Sequence, residues 1–254
     1  REGRLMQESP LRSLTVLLAV ALICSVLVSI SAVVLRPIQA ENERIERYRH
    51  IVALTGLIDG EVDDAAIQAV VDALDVRVVN LDTGEFVPAL GPEDVDARHA
   101  SSDPALSVAI PAEADSARIG RRSRYEVIFL VWDSGELERV ILPVHGQGMW
   151  STLYGLVALE ADLNTIAAVT FYEQEETAGL GDQIESPGWQ ARWTGRRLFG
   201  RGGEFRFQVA SGAVADDSPA AAHQVDGLSG ATITGNAVTA LMRFWFGPLG
   251  YGPL

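Results

Sequence analysis

The segment Asp226-Gly227-Leu228-Ser229-Gly230-Ala231-Thr232 sets small residues and two hydroxyls directly ahead of the apolar run ITGNAVTALMRFWF. The spacing of that run predicts a helix from about Thr232 to Phe246. A helix start presents unpaired N–H groups and the positive end of the helix dipole, so a phosphate can be held there without a lysine. Gly227 and Gly230 would let the backbone come close to it. The plainer reading makes Ser229 or Thr232 a helix cap, a contribution of about 1 kcal/mol. Thr234 competes with Thr232 as the reactive hydroxyl, but it sits roughly 200° further round the helix, so the two cannot face one ligand.

Two further segments could complete a binding site. Glu176-Thr177-Ala178-Gly179-Leu180-Gly181 follows a predicted strand, and its glycines could let a flat ring lie against backbone or could simply make a turn. His145-Gly146-Gln147-Gly148-Met149-Trp150-Ser151-Thr152-Leu153-Tyr154-Gly155 offers an aromatic surface beside small and hydroxylic residues. A lone tryptophan such as Trp150 is more often part of a core. His50, His99 and His223 show no metal-ligand spacing and read as surface or structural residues.

The elements that must position these residues follow from periodicity. A tail over 1–12 precedes an uncharged apolar run from Ser13 to Leu35, long enough to cross a bilayer and longer than the usual apolar core of a signal peptide. Arginines on both sides of it leave the orientation open. The chain starts with Arg, which suggests a trimmed or unusually started N-terminus. Residues 36–57, with Ile45, Tyr48, Ile51, Val52 and Leu54 at helical spacing, read as an amphipathic stalk. A soluble domain then spans 58–254. It begins with a helix capped at Asp63-Asp64 and ending near Leu74, followed by the strand and turn of VRVVNLDTGEF. Residues 88–120, rich in Pro, Ala, Asp and Ser, read as an exposed insertion. RYEVIFLVWD, ERVILPV, LYGLVALEAD and NTIAAVTFYEQ alternate like strands of an antiparallel sheet, and EFRFQVA reads as a further strand. The fold class is α+β.

Composition removes several functions. Acids outnumber bases 34 to 20, which argues against a nucleic-acid partner. Every basic residue is Arg, so a Schiff-base lysine and a Walker phosphate loop are impossible. The single cysteine, Cys24, lies in the apolar run and cannot build an iron–sulfur cluster or a disulfide within the chain. Redox chemistry here would need an organic cofactor.

The segment ending in SGAT resembles the flavinylation motif of FMN-binding domains, in which the last threonine is esterified to the FMN phosphate. The resemblance implies covalent FMN at Thr232, with Asp226, Gly227, Ser229, Gly230 and Ala231 around it. Glu176 to Gly181 resembles the ETPGLG loop of the same domains, with Ala178 in place of proline and Gln174 in place of histidine. It implies a flavin pocket containing Glu176, Thr177, Gly179 and Leu180, together with Trp150 and Ser151. The run HGQGMWSTLYGLVALEADLNTIAAVTFYEQEETAGLG, the anchor and the GWQARW segment are similar to the C-type subunits of sodium-translocating NADH:quinone reductases. The G-type subunits of Rnf complexes, which share flavinylation, and a stand-alone membrane-anchored flavin carrier are the alternatives. The closer resemblance implies an electron relay in a sodium-pumping inner-membrane complex, with the soluble domain in the periplasm. Its partners would be the other subunits, the lipid bilayer and, during maturation, a flavin transferase. No glycine-rich dinucleotide fingerprint follows a strand, so NADH would bind elsewhere in the complex.

Overall fold

In the computed structural model, which describes residues 10–57, 63–215 and 217–254, the chain divides into two units, 1–47 and 48–254. Most of the tail expected over 1–12 lies outside the described residues. Helix α1 runs Pro10–Thr55. Its stretch Leu11–Arg36 has a mean hydropathy of 2.8 and exposes every side chain, and it is long and apolar enough to cross a membrane.

The second unit is built on a five-stranded antiparallel sheet in the order β1-β4-β5-β6-β7. Helix α2 (Asp64–Ala73) leads into it, with the Asp63 carboxylate accepting the N–H of Ala66 at 2.8 Å. Strand β1 (Asp75–Asn80) pairs with β4 (Tyr125–Asp133), which continues through hairpins into β5 (Glu136–Gln147), β6 (Thr152–Glu160) and β7 (Ile166–Glu173). Because side chains alternate across a strand, one pattern serves two cores. Val140, Leu142, Val144, Leu153, Val157 and Leu159 face the larger core, closed by helix α5 (Thr232–Trp245) and the tryptophans of the 187–193 segment. Ile141, Leu156, Ala158 and Val131 face the other way, against Ile51 and Leu54 at the end of α1.

Two expectations need correction, and a third gains detail. The stalk expected over 36–57 is not wholly a stalk, because Ile51, Val52 and Leu54 are buried and the unit boundary falls before Tyr48. Its apolar stripe is a docking face, and Arg139 closes the helix end by donating to the carbonyl of Leu54 at 3.1 Å.

Residues 88–120 are mostly exposed, but they are not structureless. They fold into helix α3 (Ala97–Ser102) and strand β2 (Ser107–Ala109), which pairs with β3 (Arg121–Ser123). Their aspartates accept backbone N–H groups of nearby turns: Asp96 accepts His99 N–H, Asp103 accepts Ala105 N–H, and Asp115 accepts the N–H groups of Ile119 and Gly120. Such bonding is hard to distinguish from solvation in a Pro/Ala/Asp/Ser composition. The segment is tied to the sheet by Arg98, whose guanidinium lies 3.7 Å from the Tyr154 ring and grips Glu173 with both terminal nitrogens.

EFRFQVA is not a full strand. The N–H groups of Arg206 and Phe207 go to the carbonyl of Leu198, and strand β8 is the pair Gln208–Val209, parallel to β9 (Gln224–Val225). The alternation is real, since Phe207 is fully buried, but no long partner strand lies beside it.

Candidate functional site

The start of α5 is open. Ala231 occupies the cap position and no side chain bonds to the first-turn N–H groups, so neither Ser229 nor Thr232 acts as the helix cap. Both are exposed, as is Gly230, whereas Ala231 is buried. Gly230 takes φ +73°, and Leu180 packs over it so closely that a Cβ would lie 2.8 Å from the Leu180 Cδ2. Gly227 has a different reason to be small. Its N–H donates to the carbonyl of Gly212 at 2.9 Å, and a Cβ there would sit 2.4 Å from the Ala210 carbonyl. The close backbone approach at Gly227 is therefore to the chain's own 210–212 stretch.

Thr232, Ser229, Gly230, Gly227 and Asp226 line a cavity of about 490 Å³. Its other wall comes from helix α4 (Pro187–Gln190) and the turn after it, which contribute Trp189 and Arg192. Asp226 is held on all sides: one carboxylate oxygen accepts the N–H of Val214 at 2.8 Å, the other pairs with Arg192, and its carbonyl accepts the Trp189 indole N–H at 2.8 Å. The Asp226 carboxylate thus fixes the loop and the Arg192 guanidinium.

Thr234 faces the opposite way, as the helical rotation requires. It is 1% exposed, and its hydroxyl donates to Glu176 Oε2 at 2.5 Å. The other Glu176 oxygen accepts the N–H groups of Met149 and Trp150, at 2.9 and 3.0 Å. One buried carboxylate therefore joins all three segments singled out from the sequence: the 145–155 run, the 176–181 loop and the first turn of α5. Two glycines make room for it. A Cβ at Gly148 would lie 2.6 Å from Glu176 Oε1, and one at Gly181 would lie 2.7 Å from the Glu176 Cβ.

Around this knot, the Thr177 hydroxyl accepts the Trp150 indole N–H at 3.1 Å and the Ser151 hydroxyl accepts the Glu175 N–H at 2.7 Å. Gly179 takes φ +75° with open space around it, so its role is conformational. Trp150 is 64% exposed, which excludes the core reading, and Met149, Leu180 and Ile233 are also exposed. Apolar surface of this kind beside a polar cavity suits a flat, partly apolar ligand with an anionic end.

Of the flanking acids, Glu173 is engaged by Arg98 and Glu175 is exposed. His145, between the Tyr154 and Trp245 rings, is pushed down to about 4 by burial and secondarily by the nearby Arg98, and is neutral at pH 7.

Sequence reasoning missed Trp189 and Arg192 as site residues. A signal existed in GWQARW, where aromatic residues flank a cation. No local signal marks the Thr234–Glu176 bond, which spans 58 positions.

The FMN-binding domain family matches residues 148–247, which include the 176–181 and 226–232 segments and all but the first three residues of the 145–155 run. The C-type subunit of the Na(+)-translocating NADH-quinone reductase of Pseudomonas aeruginosa is 44% identical over 96% of this chain and 94% of its own length. That of Neisseria meningitidis serogroup B is 42% identical, over 95% of this chain and 91% of its own. The crystal structure of Shewanella oneidensis NqrC superposes with a TM-score of 0.76 at 34% identity, covering 84% of this chain and 96% of that one. With its open helix start, its FMN-binding domain and this likeness along nearly its whole length, the chain belongs to the family of C-type subunits of Na(+)-translocating NADH-quinone reductases.

Proposed function

We propose that this chain carries FMN as a phosphoester on Thr232 and relays electrons as a subunit of a sodium-translocating NADH-quinone reductase in a bacterial inner membrane. Its FMN-binding domain faces the periplasm, and its apolar helix anchors it in the lipid bilayer. The observation that carries the assignment is the uncapped start of α5, where the Thr232 hydroxyl opens into a cavity while that of Thr234 is taken by Glu176. First-turn N–H groups and the helix dipole favour a phosphate there. Ser229 and Gly230 line the same space, and Trp150, Leu180 and Ile233 are the exposed apolar residues suited to the flavin ring. Bound flavin supplies the one-electron chemistry that a chain with a single cysteine cannot supply itself.

Ester formation from a phosphomonoester with loss of water is unfavourable in water, so a flavin transferase must draw on a flavin dinucleotide, in which a diphosphate joins the flavin to a nucleoside. Thr232 Oγ1 forms the new P–O bond, the P–O bond of the diphosphate breaks, a nucleoside monophosphate leaves, and the hydroxyl proton passes to solvent. The protein gains the mass of FMN minus water.

The test is the intact mass of the full chain co-expressed with a flavin transferase, beside Thr232→Val. A gain of one FMN minus water in the wild type and none in the variant is the expected outcome. Gain in neither, with the transferase active on a control substrate, leaves Thr232 as an ordinary surface threonine and sinks the proposal.

A further inference from the structure

The residues lining the Thr232 cavity include one cation, Arg192, in a chain that carries a net charge of −14 and no lysine. Its backbone is firmly placed. Trp189 and Trp193, four residues apart, turn into the core, with Trp193 fully buried, and the Arg192 carbonyl accepts from Arg196. The side chain is half exposed and rests on Asp226, whose carboxylate is itself fixed by the N–H of Val214. A guanidinium has five N–H donors and one carboxylate cannot occupy all of them, so donors remain for a second anion.

A phosphodiester on Thr232 keeps one negative charge, and without Arg192 it would share the cavity with an unneutralised Asp226. Like charges in a partly enclosed site repel strongly because water screens them poorly. We infer that Arg192, positioned by Asp226, is the anion-binding side chain of this cavity and neutralises the phosphate attached at Thr232, completing with a charge what the α5 helix start begins with N–H groups. This rests on the assignment of Thr232 as the attachment residue and names the partner of its phosphate.

The full chain in detergent is given a flavin transferase and a flavin dinucleotide, and the initial rate of mass gain is measured at low and high salt. The variants are Arg192→Gln, Arg192→Lys and, for an equal change of net charge outside the cavity, Arg201→Gln. Thermal unfolding of each variant normalises the rates to folded protein. Loss of a charge-assisted contact predicts a rate about tenfold lower for Arg192→Gln, with weaker salt dependence. Arg192→Lys should recover to within about threefold of wild type, since the charge is kept though the fork is lost. Arg201→Gln should match the wild type. Labelling of Arg192→Gln at the wild-type rate, or of Arg192→Lys as slowly as Arg192→Gln, overturns the inference. A wild-type chain that takes up no flavin overturns the Thr232 assignment instead.

Discussion

The two faces of the first turn of α5 are used in opposite ways. On the outer face Thr232 is exposed in a cavity with a paired Arg192 and Asp226, and the helix start has no side-chain cap. On the inner face Thr234 is buried and bonded to Glu176, which also accepts two backbone N–H groups from the 149–150 stretch. The residue type is the same and the separation is two positions, yet one hydroxyl is open to chemistry and the other holds three segments together. A helix start can serve as a reactive site here because its opposite side is fixed, which keeps the open side in place without a cap.

The comparison predicts that losses on the outer face are chemical and losses on the inner face are structural. The largest contrast is between the threonines themselves: Thr232→Val should lose the whole FMN mass gain with an unchanged melting temperature. Next comes Glu176→Gln. Replacing one oxygen of this buried acceptor of three hydrogen bonds by an amide nitrogen should cost about 2 kcal/mol, or about 6 °C in a domain of this size. It should also shift the midpoint potential of the attached flavin. An unchanged melting curve together with an unchanged potential would make Glu176 incidental and end the contrast. Thr234→Val should keep the mass gain and lower stability by about 1.5 kcal/mol, since it leaves Glu176 Oε2 short of a donor.

A second buried carboxyl sharpens the point. Glu126, on β4, accepts the N–H of its neighbour Val127 at 3.2 Å and is pushed up to about 8, chiefly by burial. Its folded value lies above its ordinary 4.5, so its contribution to stability is complete below that pH and is lost as pH rises through about 8. His145 acts in the other direction, with a folded value of about 4 against an ordinary 6.5, so stability rises over that interval. Above pH 6.5 the Glu126 effect stands alone. Stability should fall between pH 6.5 and 8 by on the order of 1 kcal/mol, within the limit of about 1.4 kcal/mol per pH unit for one proton. Chemical denaturation across that range should show the fall in the wild type and a flatter profile in Glu126→Gln. A wild type with no slope there would mean that Glu126 is ionised in the folded state.

Much of the architecture was legible because its signals are local. The apolar stretch that becomes the first half of α1 needs only composition, and the sheet strands show a period of two along their own sequence. The small-residue loop running into α5 is likewise local, as is the opposition of Thr232 and Thr234 around the helix. Other features depended on partners distant in sequence. The composition of the 88–120 stretch shows its exposure but not its helix and strand, because an aspartate that also holds a turn N–H and one bonded only to water have the same composition. The end of α1 looked like a free stalk because an apolar stripe does not name the sheet it will cover. EFRFQVA alternates like a strand, but it changes neighbours along its length, meeting the 198–200 stretch first and β9 after it, so no long ladder forms.

By itself, the sequence determined where hydroxyls, glycines and aromatic residues stand along the chain, which periodic elements carry them, and which chemistries are absent for want of lysine and a second cysteine. The tertiary structure decided which of those residues meet. It set Glu176 between the 149–150 stretch and Thr234, and Arg192 against Asp226 across the cavity from a segment 34 positions away. Periodicity is written residue by residue, whereas such contacts arise only when the sheet and its helices bring remote segments within hydrogen-bonding distance.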